Sequence, residues 1–509
     1  MENKFRFILF GGFLLFLWGC AESDQFSPVQ QRITELVSEG KIPSAAVAAA
    51  RDGRIIWEQG FGYADRENNI KATEHTRYAL ASITKPFTCT ALMKLREQGL
   101  IRLDDPIELH LNDIALTAGA GDPRAVTIRR TASHTAGLPL HSNHFYIDEM
   151  EKPPPFQETV RRYGIIVKEP GKGFQYSNLG YGLLGRLISA VSEMPYEEFM
   201  EKEIFIPLDL NDTCAGMQDP DKYDYAVKYT GKGDIVPPSV SDTPAGGMIY
   251  SSVHDVIRFA VMHCSPELIK KGAVLSPESV REMQVPAAET GPMRPWQEEG
   301  SGYGLGWNIG IIPGGLKIAF HSGGISGESA VTVLVPEKGI AAAVLTNTES
   351  PYTDDILFHI ISLLLPEETE NISVTKAAAG TGSDYTAEKR LFGIWQGHVH
   401  TYEGAVHLEI DIREKGGIFV SLGEEGPVPL EKISYQSDFP LFNSFGGGPF
   451  LRGVFEGSVG TDDVLRGNPG VLWLELKLRG DALSGGLIAF SQRKNPIGPL
   501  THWVDTWKQ

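Results

Sequence analysis

The chain has 509 residues, 42% hydrophobic and 22% charged, an ordinary globular balance with enough length for two or more packed cores. Its 46 lysines and arginines stand against 64 acidic residues, a net charge of −18, which argues against a nucleic-acid binder and against docking on anionic lipid by charge. Cys20, Cys89, Cys214 and Cys264 are too few and too scattered for a disulfide framework or a metal knuckle, and buried free thiols are expected for the last three.

At the N-terminus, Lys4 and Arg6 precede an apolar run from Phe7 to Trp18 that is too short for a comfortable membrane span. It ends in Leu17-Trp18-Gly19-Cys20 and turns polar at Glu22-Ser23-Asp24. This resembles a bacterial lipoprotein signal, with residues 1–19 removed and the Cys20 thiol lipidated. It implies an exported protein of the cell envelope, anchored to a membrane and facing the periplasm or the exterior. An ordinary signal peptide or an uncleaved anchor is the alternative.

From Ser27-Pro28 a short amphipathic helix is expected to about Glu39. A β-hairpin follows, Ala46–Ala50 and Ile55–Glu58 around Asp52-Gly53-Arg54, and then a loop from Tyr63 to Thr76. Ser82-Ile83-Thr84-Lys85 opens an apolar helix that should stop at Gly99. Ser82 and Lys85, three apart, share a helix face. A hydroxyl beside an amine at the positive end of a helix is a candidate nucleophile, although a cap followed by a solvated lysine has the same spelling.

The stretch Thr131–Leu138 ends in a Gly/Pro break. His134, His141 and His144 lie close enough to raise zinc, but no acidic or cysteine ligand stands at a strong motif spacing. Residues Leu140 to Lys172 read as irregular, a lid or a wall for a site, or else a surface excursion. Tyr176-Ser177-Asn178 introduces a second apolar helix through Val191. Pro244–Met248 reads as a flexible turn, Ser252 as the cap of a helix from Asp255 to Met262, and Ala287–Gly300 as a second long loop. Strands follow at Lys317–Gly324, Ser329–Val335 and Ile340–Thr346, then an apolar helix from Asp354 to Leu365. Sheet segments at both ends of a helical middle describe an α+β domain over residues 27–365 whose termini share one antiparallel sheet. Residues 366–384 read as a linker. In 385–509, Val406, Leu408, Ile410 and Ile412, and again Leu472, Leu474, Leu476 and Leu478, alternate with polar residues or Trp473, which argues a small antiparallel barrel or sandwich.

Three pieces stand in a telling order: Ser82-Ile83-Thr84-Lys85, Tyr176-Ser177-Asn178 and His321-Ser322-Gly323-Gly324. With Thr131–Leu138, Gln98–Pro106 and Leu345-Thr346-Asn347, they resemble the serine β-lactamase and penicillin-binding-protein superfamily. The likeness is to its class C, D-alanyl-D-alanine carboxypeptidase and esterase branch and covers roughly Ser27 to Leu365. It implies that Ser82 attacks a carbonyl to form an acyl-enzyme, with Lys85 taking or relaying its proton and Tyr176 as partner base or acid. A free phenol ionises near pH ~10, so Tyr176 is expected to lean on Lys85. Asn178 is expected to fix Lys85 and meet the substrate amide. The backbone N–H groups of Ser82 and Gly324 form the implied oxyanion hole, with His321, Ser322 and Gly323 along the substrate.

His-Ser-Gly stands where most β-lactamases have Lys-Thr-Gly, and histidine carries only about half a charge near pH ~6.5. Weaker selection for anionic β-lactams is therefore expected. Glu328 and Asp209 depart from the family pattern; Glu328 is expected to alter the acyl pocket and Asp209 to change little. The mechanism requires no metal or organic cofactor. The C-terminal part resembles the lipocalin-like barrel of some relatives, as a wall of the site, a glycan or partner contact, or a spacer. The leading reading is an exported serine hydrolase of an ester or amide, such as a peptidoglycan stem peptide, a D-amino-acid peptide or a small ester. A true β-lactamase is the second reading, and an idle binding or sensor protein on the same fold the third.

Overall fold

The computed structural model describes residues 25–218, 224–264, 274–290, 300–312, 315–370, 389–414, 416–434, 450–466, 469–491 and 493–509 apart from 494, 495 and 497. The expected lipoprotein-type leader (1–19), Cys20 and most of the expected linker lie outside these residues. Among the described residues no helix is long and apolar enough to cross a membrane.

Helix α1 (Ser27–Ser38) carries Val29, Ile33 and Leu36 on one buried stripe and leads into strand β1 (Ser44–Arg51). Strand β2 (Arg54–Asp65) returns beside it through Asp52 and Gly53, both at positive φ. The strand runs further than its apolar core suggests, because Tyr63 and Asp65 still pair with Ile70–Lys71; the expected loop starts later. Helix α2 (Thr84–Glu97), which carries Lys85, and helix α3 (Asn178–Ser192) pack in the helical middle with α4 (Val253–Cys264). Strands β3 (Leu316–Ile325), β4 (Glu328–Val335) and β5 (Ile340–Thr346) close the sheet, followed by α5 (Tyr352–Leu364).

The sheet order is Ala288–Glu289, Gly302–Tyr303, Asn308–Ile312, β3, β4, β5, β1, β2 and Ile70–Lys71, with every neighbouring pair antiparallel. The two ends of this part of the chain therefore meet at β1 and β5, in register from Ala45↔Thr346 to Arg51↔Ile340. Successive side chains alternate between faces. Ala45, Val47 and Ala49 pack under α1 and α5, while Ala46, Ala48 and Ala50 face the helical middle. Small residues on both faces let a two-sided helix cover sit close on the strand.

A second nine-stranded antiparallel sheet, nearly closed and barrel-like, holds the C-terminal part. Its order is Glu425–Pro429, Ile418–Leu422, Gly404–Ile412, Gly393–Thr401, β8 (Leu500–Lys508), β7 (Ala482–Ser491), β6 (Pro469–Arg479), Phe450–Phe455 and Glu431–Ser434. Leu408, Ile410, Leu472, Leu474 and Leu476 are fully buried, as period two requires. Two expectations need correction. Pro366–Thr369 is one more helical turn, with proline at the first position and Glu367 and Glu368 in the first turn, so ordered structure runs into the expected linker. The stretch 140–172 is not irregular throughout: it holds a strand at His144–Tyr146 and a helix at Phe156–Tyr163.

Candidate active site

Ser82 sits in a 3-10 turn, Ala81–Ile83, that runs straight into α2. The residue before it, Ala81, has φ +45°, a left-handed conformation that a side-chain-bearing residue adopts only under constraint. Two contacts supply the constraint. The Leu80 N–H donates to Ile249 O at 2.8 Å, and the Ala79 N–H donates to the Glu328 carboxylate at 2.9 Å.

Lys85 lies one helical turn on and is wholly buried. Its Nζ stands 3.0 Å from Ser82 Oγ, 2.8 Å from Asn178 Oδ1 and 2.7 Å from Gly246 O. Burial pushes the lysine pKa well below its ordinary value, against a smaller raising effect of Cys89. The two carbonyl oxygens can only accept, so they hold two N–H bonds of the amine. In the neutral amine the third direction is a lone pair aimed at the Ser82 hydroxyl, the geometry of a general base. The turn at Pro244–Gly246 is thus part of the site, a role its sequence does not announce.

Tyr176 Oη donates to Ser82 Oγ at 2.8 Å. Burial raises the phenol pKa, only partly offset by the Ser82 bond, and Lys85 Nζ lies 4.7 Å from the ring centroid. The expectation that Lys85 lowers the phenol is therefore reversed: both groups are desolvated and both favour their neutral forms. A neutral phenol can donate to the serine oxygen and can pass a proton on to a departing atom.

Asn178 opens α3, whose cap is Ser177: its Oγ accepts from the Gly180 N–H at 2.9 Å and donates to Pro139 O at 2.7 Å. The Ser177 N–H donates to His134 Nδ1 at 3.1 Å, and the His134 ring lies 4.2 Å from that of Tyr176. Burial, then Lys85 and His321, hold His134 neutral well below the usual histidine pKa. His134 therefore positions the Tyr176–Asn178 turn. The other two histidines raised as zinc ligands go elsewhere: His141 pairs with Asp242 at 2.6 Å and His144 Nε2 lies 3.2 Å from Ser142 Oγ. Among the described residues no group of three metal-ligating side chains exists.

Strand β3 lies against the nucleophile turn. A Cβ on Gly323 would fall 2.1 Å from Leu80 O and 3.1 Å from Ser82 N, so only glycine permits this approach. Gly324 lines the cleft with Ser82, Asn178, Thr243, Gly247 and Met248, and its outer side is open. His321 is placed otherwise than its sequence position suggests. It is buried, its Nδ1 donates to Ser322 O at 2.7 Å, and its Nε2 lies 3.0 Å from Tyr303 Oη. Both ring nitrogens are thus engaged, one by the Ser322 carbonyl and the other by Tyr303. Glu328 is buried, its carboxylate accepts from the Ala79 N–H, and burial, opposed by Lys228, raises its pKa to about 8. Asp209 has φ +57° at the end of a helical turn, a left-handed position that favours glycine. Cys89, Cys214 and Cys264 are buried and form no disulfide among the described residues.

The Ser82 hydroxyl therefore stands between a neutral amine and a phenol, on a turn braced by a glycine strand. The chain belongs to the Beta-lactamase family, whose model matches residues 29–360. It is 25% identical over 344 residues to Protein flp of Staphylococcus aureus (strain N315), a match covering 65% of this chain and 66% of that protein's length. It is 27% identical over 341 residues to Penicillin-binding protein 4* of Bacillus subtilis (strain 168), covering 63% of this chain and 71% of that protein. Among solved structures, the octameric penicillin-binding protein homologue from Pyrococcus abyssi aligns with a TM-score of 0.59 at 25% identity, over 94% of this chain and 99% of that one. SurE aligns at 0.62 and 21% identity over 96% and 100%, a likeness of fold. The family suggests serine hydrolase activity.

Proposed function

We propose that the protein hydrolyses an ester or amide through an acyl-enzyme on Ser82. The observation that carries this is the Lys85 amine, fully buried and held by Asn178 and Gly246 so that its remaining direction meets Ser82 Oγ at 3.0 Å. Lys85 takes the hydroxyl proton as Ser82 attacks the carbonyl carbon, and the carbonyl oxygen gathers charge between the N–H groups of Ser82 and Gly324. Tyr176 delivers a proton to the departing oxygen or nitrogen, and water then releases the acyl group by the reverse relay.

The substrate class is a small ester, a D-amino-acid peptide or a peptidoglycan stem peptide, as the penicillin-binding relatives suggest. A true β-lactamase is the lesser reading, because His321 stands where most β-lactamases carry a permanently charged lysine. The protein is exported and lipid-anchored through Cys20; incorporation of a fatty-acid probe in cells, lost in Cys20→Ala, checks that part.

A steady-state panel of aryl and alkyl esters, D-amino-acid peptides and cephalosporins tests the whole. Ester or peptide turnover above cephalosporin turnover, lost in Ser82→Ala, is expected. Efficient cephalosporin turnover with poor ester turnover sinks the ester or peptidase assignment, and no turnover at all favours an idle binding protein.

A further inference from the structure

The mechanism leaves one large feature unused, the C-terminal barrel. Ser142 and His144 line the cleft beside Ser82. The segment that carries them is held from the barrel side: the Ser142 N–H donates to Pro499 O at 3.1 Å, Tyr146 Oη donates to Pro496 O at 2.9 Å, and Thr501 Oγ1 donates to Leu140 O. The Arg466 guanidinium donates to Asn143 Oδ1 and, at 3.3 Å, to His144 O. The approach is close enough that a Cβ on Gly498 would stand 2.5 Å from Ser142 O.

The barrel also reaches Tyr176. Strands β6 and β7 pair Trp473 with Ile488, so these two side chains and Phe490, two residues on, share one face. The other face of β6 carries Leu472, Leu474 and Leu476 into the barrel's own core. On the outward face, Ile488 and Leu140 form a buried apolar cluster against which Tyr176, Trp473 and Phe490 pack partly buried. Trp473 and Phe490 ring centroids are 5.9 Å apart. Two aromatic side chains of the barrel and the phenol that donates to Ser82 thus pack on one apolar cluster.

We infer that the barrel is a specificity-determining part of the active site, with Trp473, Ile488 and Phe490 seating an apolar or aromatic group on the leaving side of the scissile bond. This rests on the hydrolase reading above. The direction follows from the chemistry: Tyr176 protonates the departing atom, so the substituent on that atom passes over Tyr176 and meets this face. The acyl side faces the hydroxyl-lined part of the cleft at Ser142, Ser241 and Thr243. The substrate class is an ester or amide whose departing alcohol or amine is bulky and apolar.

The test uses full-length protein and acetate esters of methanol, 1-hexanol and benzyl alcohol. All three form the same acetyl-enzyme, so differences in kcat/KM report acylation alone. Wild type is expected to prefer the hexyl and benzyl esters over methyl by at least about ten-fold, and Trp473→Ala to reduce that ratio by about ten-fold, while Ser82 still labels with a fluorophosphonate. Phe490→Leu, a gentler change on the same face, reads the same ratio should Trp473→Ala fail to fold. A ratio within about two-fold of wild type in folded, labelled variants overturns the inference alone. A uniform fall of all three esters with labelling reduces the barrel to support and also overturns it. No labelling of wild type overturns the hydrolase reading and this inference together.

Discussion

The cleft around Ser82 and the seam between the 140–149 segment and the barrel are both close-packed, yet they are held by different means. Around Ser82 the contacts are hydrogen bonds among groups that burial keeps neutral, at 2.7 to 3.0 Å, and Lys85 forms no ion pair among the described residues. Along the seam neutral hydrogen bonds and an apolar cluster are joined by ion pairs: Arg466 with Glu149 at 3.3 Å, Arg493 with Glu149 and, from the neighbouring helix, Arg162 with Asp463 at 2.9 Å. A reacting centre needs amine and phenol free of permanent charge so that protons can move. A docked wall needs direction and register, which paired charges supply. Chemistry and attachment are thereby separated in the same few turns of chain.

The sharpest way to break this contrast is to force charge into the cleft. Lys85→Arg keeps a cation that cannot give up its proton, and acylation by a p-nitrophenyl ester should fall by about 10³-fold or more in stopped-flow measurements. Retained acylation would mean that a neutral amine is not required.

The two seams can next be compared through their glycines. Gly323→Ala places a Cβ 2.1 Å from Leu80 O, beside the nucleophile, and should cut Ser82 labelling at least about 10²-fold. Gly498→Ala meets Ser142 O at 2.5 Å from φ +97° and should instead lower thermal stability and shift ester preference more than it slows labelling. Equal loss of labelling in both would erase the distinction.

Acid should act through the buried histidines that join the cleft to the barrel. Burial lowers the pKa of His144 and of His502 to about 4. Between the ordinary histidine value near ~6.5 and that pKa, the unfolded chain binds protons that the folded chain does not. Stability is therefore whole above pH ~6.5 and falls as pH drops toward 4, each histidine accounting for up to about 3 kcal/mol. Calorimetric unfolding from pH 7 to 4.5 should show the slope, and His502→Gln should flatten it. The smallest effect is expected at the ion pairs: Arg466→Met should cost about 2 kcal/mol in urea unfolding, since Glu149 keeps Arg493.

Much of this was legible in the sequence. Ser82 and Lys85 share a face because they are three apart where a 3-10 turn runs into α2, and Tyr176 and Asn178 flank a helix cap, so local spacing carries both. Gly323 is readable as a close approach because no other residue tolerates one. The strand alternation of Leu472–Leu478 likewise marks the barrel's inner face. What was not legible depends on partners far along the chain. The Tyr303 partner of His321 and the Ala79 amide that Glu328 accepts from lie outside any local spacing. Gly246 contributes only a backbone oxygen, which leaves no trace in residue type. Zinc was suggested by histidines close in sequence, but backbone direction separates His134 from His141 and His144. Trp473 reads as an interruption of a polar face; its packing near Tyr176 is a matter of how two sheets meet.

The central claim is that Ser82 becomes acylated with Lys85 as its base. The direct measurement is intact-protein and peptide mass spectrometry after treatment with a fluorophosphonate and, separately, with a p-nitrophenyl ester quenched in acid. A single stoichiometric adduct on the Ser82 peptide, absent in Ser82→Ala and slowed in Lys85→Arg, is the predicted result. An adduct on another residue, or none under conditions that label a known family member, would contradict it.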